Sequence, residues 1–115
     1  MHLISVVETL AYLADAQKVL SEPERNAVID MLASNPLAGV LIKGACGLRK
    51  VRIGMEGRGK RGGGRVIYWF HSEGFPVVLL AMFAKNEVSD LTSKERAALI
   101  RVAEQLREDF GRRLR

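Results

Sequence analysis

Cysteine, histidine and proline are all scarce in this chain. The single cysteine, Cys46, excludes an intrachain disulfide and any thiolate metal cluster. The two histidines, His2 and His71, make no zinc site with any neighbour in the sequence. The opening MHLISVVETL lacks both a charged leading region and a long apolar core, so it does not read as a secretory signal. The longest apolar run, Pro76 to Ala84, has the length of a strand and is too short to span a bilayer. No metal, cofactor or membrane association is expected, and a reducing cytoplasm is the compartment that fits. Acids are missing where bases are dense. Between Gly47 and Ser72 only Glu56 stands against Arg49, Lys50, Arg52, Arg58, Lys60, Arg61 and Arg65.

What is present describes an ordinary globular chain. Its 115 residues suit one domain, 1–115, with a modest core. At 48% hydrophobic and 27% charged it is not a disordered sequence. The net charge of +5 favours nucleic acid, an acidic protein or an anionic surface as partner.

The pattern of apolar residues predicts the elements. Leu3 to Val7 reads as a short β-branched strand. Leu10, Leu13, Ala14 and Leu20 give a helical stripe, broken at Gln17. Ser21 and Glu24 form a capping box around Pro23, and a second helix follows to about Ser34 with Val28, Ile29, Leu32 and Ala33 inward. Asn35-Pro36 ends it. Residues 37–46 have little periodicity and read as a connection. Three strands follow, at Leu48–Met55, Arg65–Ser72 and Val77–Ala84, and pair as a meander. Thr92 and Glu95 form a second capping box, and the last helix carries Leu99, Val102, Ala103, Leu106 and Phe110 on one face. The order is βααβββα: an α+β fold, with a mainly antiparallel sheet packed against an N-terminal helical hairpin and a C-terminal helix.

The stretch from Gly47 to Ser72 carries the chemistry. Lys50, Arg52 and Gly54 alternate with Val51, Ile53 and Met55, which puts two cations on one face of a strand and apolar side chains on the other. A glycine-rich loop adds Arg58, Lys60 and Arg61, and Arg65 opens the next strand. Like charges on neighbouring strands destabilise a sheet, so the cluster points to an anion, read here as RNA phosphate. Lys85 has the parity of Leu79, Ala81 and Phe83 and joins their face if the twist allows. The loop also matches Gly57-x-Gly59-x-x-Gly62 and, nearly, a P-loop at Gly54 to Lys60. Both nucleotide motifs need a helix after the loop, whereas here a strand follows, and Arg61 occupies the P-loop hydroxyl position. Tyr68, Trp69, Phe70 and Phe83 read as core, with one of them open to stacking a base. His71 lies at the far end of its strand from Arg65, and Cys46 lacks a histidine partner.

Cations without a carboxylate pair suit a metal-free ribonuclease, in which the RNA 2′-hydroxyl attacks its own phosphate. Lys50 is the candidate base, with Lys60 behind it. Arg52 and Arg65 brace the phosphate. A binding protein without nuclease activity is the alternative.

Three runs together resemble the HigB toxins of the RelE/ParE superfamily. They are Gly47-Leu-Arg-Lys-Val-Arg52, Gly57-Arg-Gly-Lys-Arg-Gly-Gly-Gly-Arg-Val-Ile-Tyr68 and Ala84-Lys-Asn-Glu-Val-Ser-Asp-Leu91. The resemblance implies a small α+β toxin that cuts messenger RNA in the ribosomal A site and pairs with a HigA-like helix-turn-helix antitoxin. It matches Lys50 and Arg52 to the family's basic pair, Arg65 to the arginine that opens the following strand, and Lys85 to a basic residue after the last strand. It leaves Asn86 where RelE proper has a second basic residue, and Thr92 where RelE has a catalytic tyrosine. Arg58, Lys60 or Arg61 are the groups available to replace them. Arg49, Arg58, Arg61, Lys85 and Asn86 are then expected to contact RNA or ribosome. Within the same superfamily, a ParE-like toxin that grips DNA gyrase is the other function the fold would carry, beside a basic RNA-binding module.

Overall fold

The structure, a computed structural model, describes residues 3–55, 59–84 and 91–113. Arg58, Lys85 and Asn86 lie outside the described residues, and Lys60 and Arg61 are described as strand backbone only. In chain order the elements are β1 (Val6–Glu8), α1 (Leu10–Val19), α2 (Glu22–Ser34), β2 (Val40–Leu41), β3 (Leu48–Met55), β4 (Gly59–Trp69), β5 (Val77–Ala84) and α3 (Ser93–Arg113). They build one sheet in the order β1-β5-β4-β3-β2. β1 runs parallel to β5, and every other pair is antiparallel. The α+β architecture and the three-strand meander are therefore as the sequence predicts.

Local side-chain chemistry starts each helix. Thr9 caps α1, its hydroxyl accepting from Tyr12 N at 3.1 Å and donating to Leu79 O at 2.8 Å. That second bond ties the start of the helix to β5. The Ser21–Glu24 box closes in both directions, at 2.8 and 3.3 Å, as does the Thr92–Glu95 box, at 2.9 and 3.1 Å. Each satisfies amides that a helix start leaves without partners.

The sheet is covered on both faces. Tyr12, Ala16, Leu20, Val28 and Leu32 of the helical hairpin pack with Val51, Val66, Tyr68 and Leu79. On the other face, Ala103 of α3, with Leu99, Leu106 and Phe110, packs with Leu48, Ile67, Trp69 and Leu80. Two strands covered in this way become apolar on both parities, which is why residues 66–69 and 77–84 show no alternation.

Five expectations need correction. The first strand is Val6–Glu8 rather than Leu3 to Val7. The buried stripe of α1 is Tyr12 and Ala16, continued by Leu20, whereas Leu10 is 85% exposed and Ala14 is exposed. Tyr12 carries the ring that fills the core, and its polar tip hides it from a count of purely apolar residues. Val102 is 42% exposed beside the fully buried Ala103, so the inward stripe of α3 passes it by. The connection 37–46 contains β2, an edge strand of two residues held by pairing to Arg49 and Lys50. β4 begins at Gly59 and ends at Trp69, because backbone pairing carries glycines into the ladder that strand propensity leaves out.

A bulge in β5 adds a further change. Tyr68 pairs with Leu79 and Ile67 with Ala81, so Leu80 is an extra residue. Leu79 then lies in the hairpin-side core, while Leu80 and Ala81 both lie in the α3-side core. The single face expected for Leu79, Ala81 and Phe83 is divided.

Candidate RNA-binding site

Register decides which cations meet. Arg52 stands directly opposite Arg65, and Lys50 opposite Ile67. Opposed residues point to the same face, and residues two apart on a strand share it. Lys50, Arg52 and Arg65 therefore project together on the α3 side, beyond the part that Leu48, Ile67 and Trp69 give to the core. Their neighbours Val51, Ile53 and Val66 are buried on the hairpin side. The alternation read from the sequence is thus the one the sheet uses.

The three cations line one open hollow of about 620 Å³, with Met31, Ala38, Val40 and Val51. It sits where β2 ends and β3 continues as the edge of the sheet. Lys50 and Arg65 are half-buried, and Arg52 is exposed. A long side chain in that position lays its stem on apolar surface and keeps its charge in water. The hollow is basic, with apolar walls, and wide enough for a sugar–phosphate unit.

Arg49 stands apart. It lies opposite Tyr68 and so faces the hairpin side. Its guanidinium donates to Gly39 O at 2.8 Å. Tyr68 works on the same segment: its hydroxyl donates to Pro36 O at 2.7 Å and accepts from Gly39 N at 2.8 Å. Burial pushes the Tyr68 phenol up, against a smaller lowering by the Gly39 amide and Arg49. Together the two side chains pin residues 36–39, and with them the wall formed by Ala38 and Val40. Gly39 fits because it has no side chain; a Cβ there would lie 2.8 Å from Lys50 O and from the Tyr68 ring. Met31, Ala38 and Val40, which line the hollow, and Gly39, which supports its wall, are residues that sequence reasoning missed, and Tyr68, read there as core, also braces that wall. Nothing local marks them, since their role comes from contacts across the fold.

The remaining candidates fall elsewhere. His71 is exposed beyond the Trp69 end of β4, with its Nδ1 3.1 Å from Ser72 Oγ and its ring 4.4 Å from that of Phe75. Cys46 is exposed at a left-handed turn with φ 57°, beside a second hollow that His71 also lines. Thr92 serves as the cap of α3. Among the described residues no group of three or more His, Cys, Asp or Glu is placed to hold a metal ion. No helix among them is long and apolar enough to cross a membrane.

The sheet of five strands thus carries a helical hairpin on one face and a long C-terminal helix on the other, with cations gathered toward one edge. Residues 37–114 match the family described as the RelE toxin of the RelE/RelB toxin–antitoxin system. The chain belongs to that family. Among solved structures it is similar to a double mutant of the E. coli toxin RelE in the free state, at a TM-score of 0.57 and 14% identity. The match covers 84% of this chain and 96% of that one, a likeness of fold.

Proposed function

We propose that this RelE-family toxin is a ribosome-dependent endoribonuclease that cuts messenger RNA and so stops translation in the cytoplasm. The observation that carries the reading is the shared face of Lys50, Arg52 and Arg65. In the proposed step the 2′-oxygen attacks the adjacent phosphorus, and the bond to the 5′-oxygen of the next nucleotide breaks. The products are a 2′,3′-cyclic phosphate and, once the departing 5′-oxygen takes a proton from solvent, a free 5′-hydroxyl. Arg52 and Arg65 hold the phosphate oxygens as negative charge builds, since guanidinium forks match that geometry and stay charged. Lys50 is the proposed base, with Lys60 as the second candidate. Arg58, Arg61, Lys85 and Asn86 are proposed contacts to RNA or ribosome. Arg49 is left out of this role, because its guanidinium holds Gly39.

A HigA-like partner antitoxin would cover the same hollow with an acidic or apolar segment. Its charge would complement the three cations, and its apolar side chains would meet Ala38 and Val40.

Purified toxin added to translating ribosomes should produce messenger ends bearing 5′-hydroxyls, mapped by end-specific ligation. Arg65→Ala should slow cutting about 100-fold or more, the scale of losing one donor to a developing phosphorane charge. Intact messenger, or cutting at the wild-type rate by Arg65→Ala, rejects the assignment. Intact messenger together with DNA damage on expression would point to gyrase as target.

A further inference from the structure

Burial separates the aromatic residues of β4 and β5. Tyr68 and Trp69 have no exposed surface, and Phe70, just past β4, is 9% exposed. Phe83 differs, as the one residue of β5 that is not buried. It stands directly opposite Arg65, which stands opposite Arg52. Opposed side chains share a face with Cβ atoms about 4.5–5.5 Å apart. One row across three strands therefore reads guanidinium, guanidinium, phenyl, on the face that also carries Lys50. Phe83 is packed against the core cluster that contains Ile67 and Trp69, so it is partly buried before any ligand arrives.

We propose that Phe83 is the stacking platform for a nucleobase of the RNA whose phosphate Arg52 and Arg65 hold. This rests on the RNA-cleaving reading above. Phosphate and base are the two recognisable parts of one nucleotide, and the row offers a partner for each at neighbouring-strand spacing. A base can lie on the ring only when it is unpaired, so the row selects single-stranded RNA. Every base has a flat face, so the stack makes no demand on sequence.

The test uses a short single-stranded RNA with 2-aminopurine as one base and 2′-O-methyl riboses throughout, which block 2′-oxygen attack. Titration with the full-length wild-type toxin should quench its fluorescence. Phe83→Tyr should retain the quenching. Phe83→Leu should weaken binding about tenfold or more and abolish the quenching, on the scale of losing one base–aromatic stack. Unfolding midpoints are measured alongside, and Phe83→Met serves in place of leucine if that variant does not fold. No quenching by wild type, or equal quenching by the aliphatic variant, overturns the proposal. Quenching by a wild-type toxin that leaves messenger intact on ribosomes would uphold the stacking platform and remove the nuclease reading alone.

Discussion

Tyr12 and Tyr68 are both buried phenols of the hairpin-side core, and they show how partners change what burial does. Tyr68 has a donor and an acceptor for its hydroxyl and uses both to position residues 36–39. The Tyr12 hydroxyl has no hydrogen-bond partner among the described residues. Burial, with Glu8 adding and Arg25 opposing, pushes the Tyr12 phenol from 10.0 up to about 12. In the unfolded chain it ionises at the ordinary value, while the folded chain keeps it neutral. Between about pH 10 and 12 the folded state therefore holds more protons, and stability falls as pH rises. Below pH 10 this contribution is constant. Tyr12→Phe should leave stability at pH 7 unchanged or slightly higher and flatten much of the alkaline loss. Tyr68, whose shift has the same direction, adds to the slope that remains. Urea unfolding from pH 7 to 12 measures both, and an unaltered alkaline slope in Tyr12→Phe would contradict the assignment.

At the scale of elements, two glycines make opposite predictions. Gly64 lies where β4 passes β5, and a Cβ there would stand 2.8 Å from both Met82 Cε and Phe83 O. The methionine tip can move, whereas the carbonyl is ladder backbone and cannot without separating the strands. Gly64→Ala should cost about 1–3 kcal/mol and disturb the row that ends in Phe83. Gly111, in the last turns of α3, has nothing within 4 Å of a built Cβ. Gly111→Ala should gain about 0.5–1 kcal/mol through helix propensity. Thermal unfolding of the pair checks both signs in one experiment. Much of this architecture is legible in the sequence where local chemistry sets it. Both capping boxes, the turn at Asn35-Pro36 and the strands 48–55 and 77–84 follow from side-chain–amide bonding and apolar runs. So does the alternation that brings Lys50 and Arg52 to one face. The illegible parts are set by distant partners: β2 exists through pairing with β3, the glycines of β4 through their ladder, and the bulge at Leu80 through the core beneath it. That bulge is also why counting parity along β5 could not show that Phe83 opposes Arg65.

For the whole molecule the +5 charge matters through where it is concentrated. RNA held by phosphate contacts releases counterions, so affinity should fall with salt, by about 0.7 in log–log slope per contact to a single strand. Arg52→Ala should lower the steepness by roughly that amount for the uncleavable RNA. Lys18→Ala, at the exposed end of α1 on the hairpin side, should leave the slope as it is. Fluorescence titrations at several salt concentrations give the slopes, and an unchanged slope in Arg52→Ala would place the RNA elsewhere. Gly39 carries a further consequence. With Lys50 O and the Tyr68 ring already filling the space a methyl would need, that position is closed to variation. Retuning of what this wall accepts, by selection or by an engineer, is confined to flanking residues such as Leu37, Ala38 and Val40, all turned to solvent. The site thus has a fixed hinge-pin and adjustable neighbours, and a library built to change its specificity should spare the one and randomise the others.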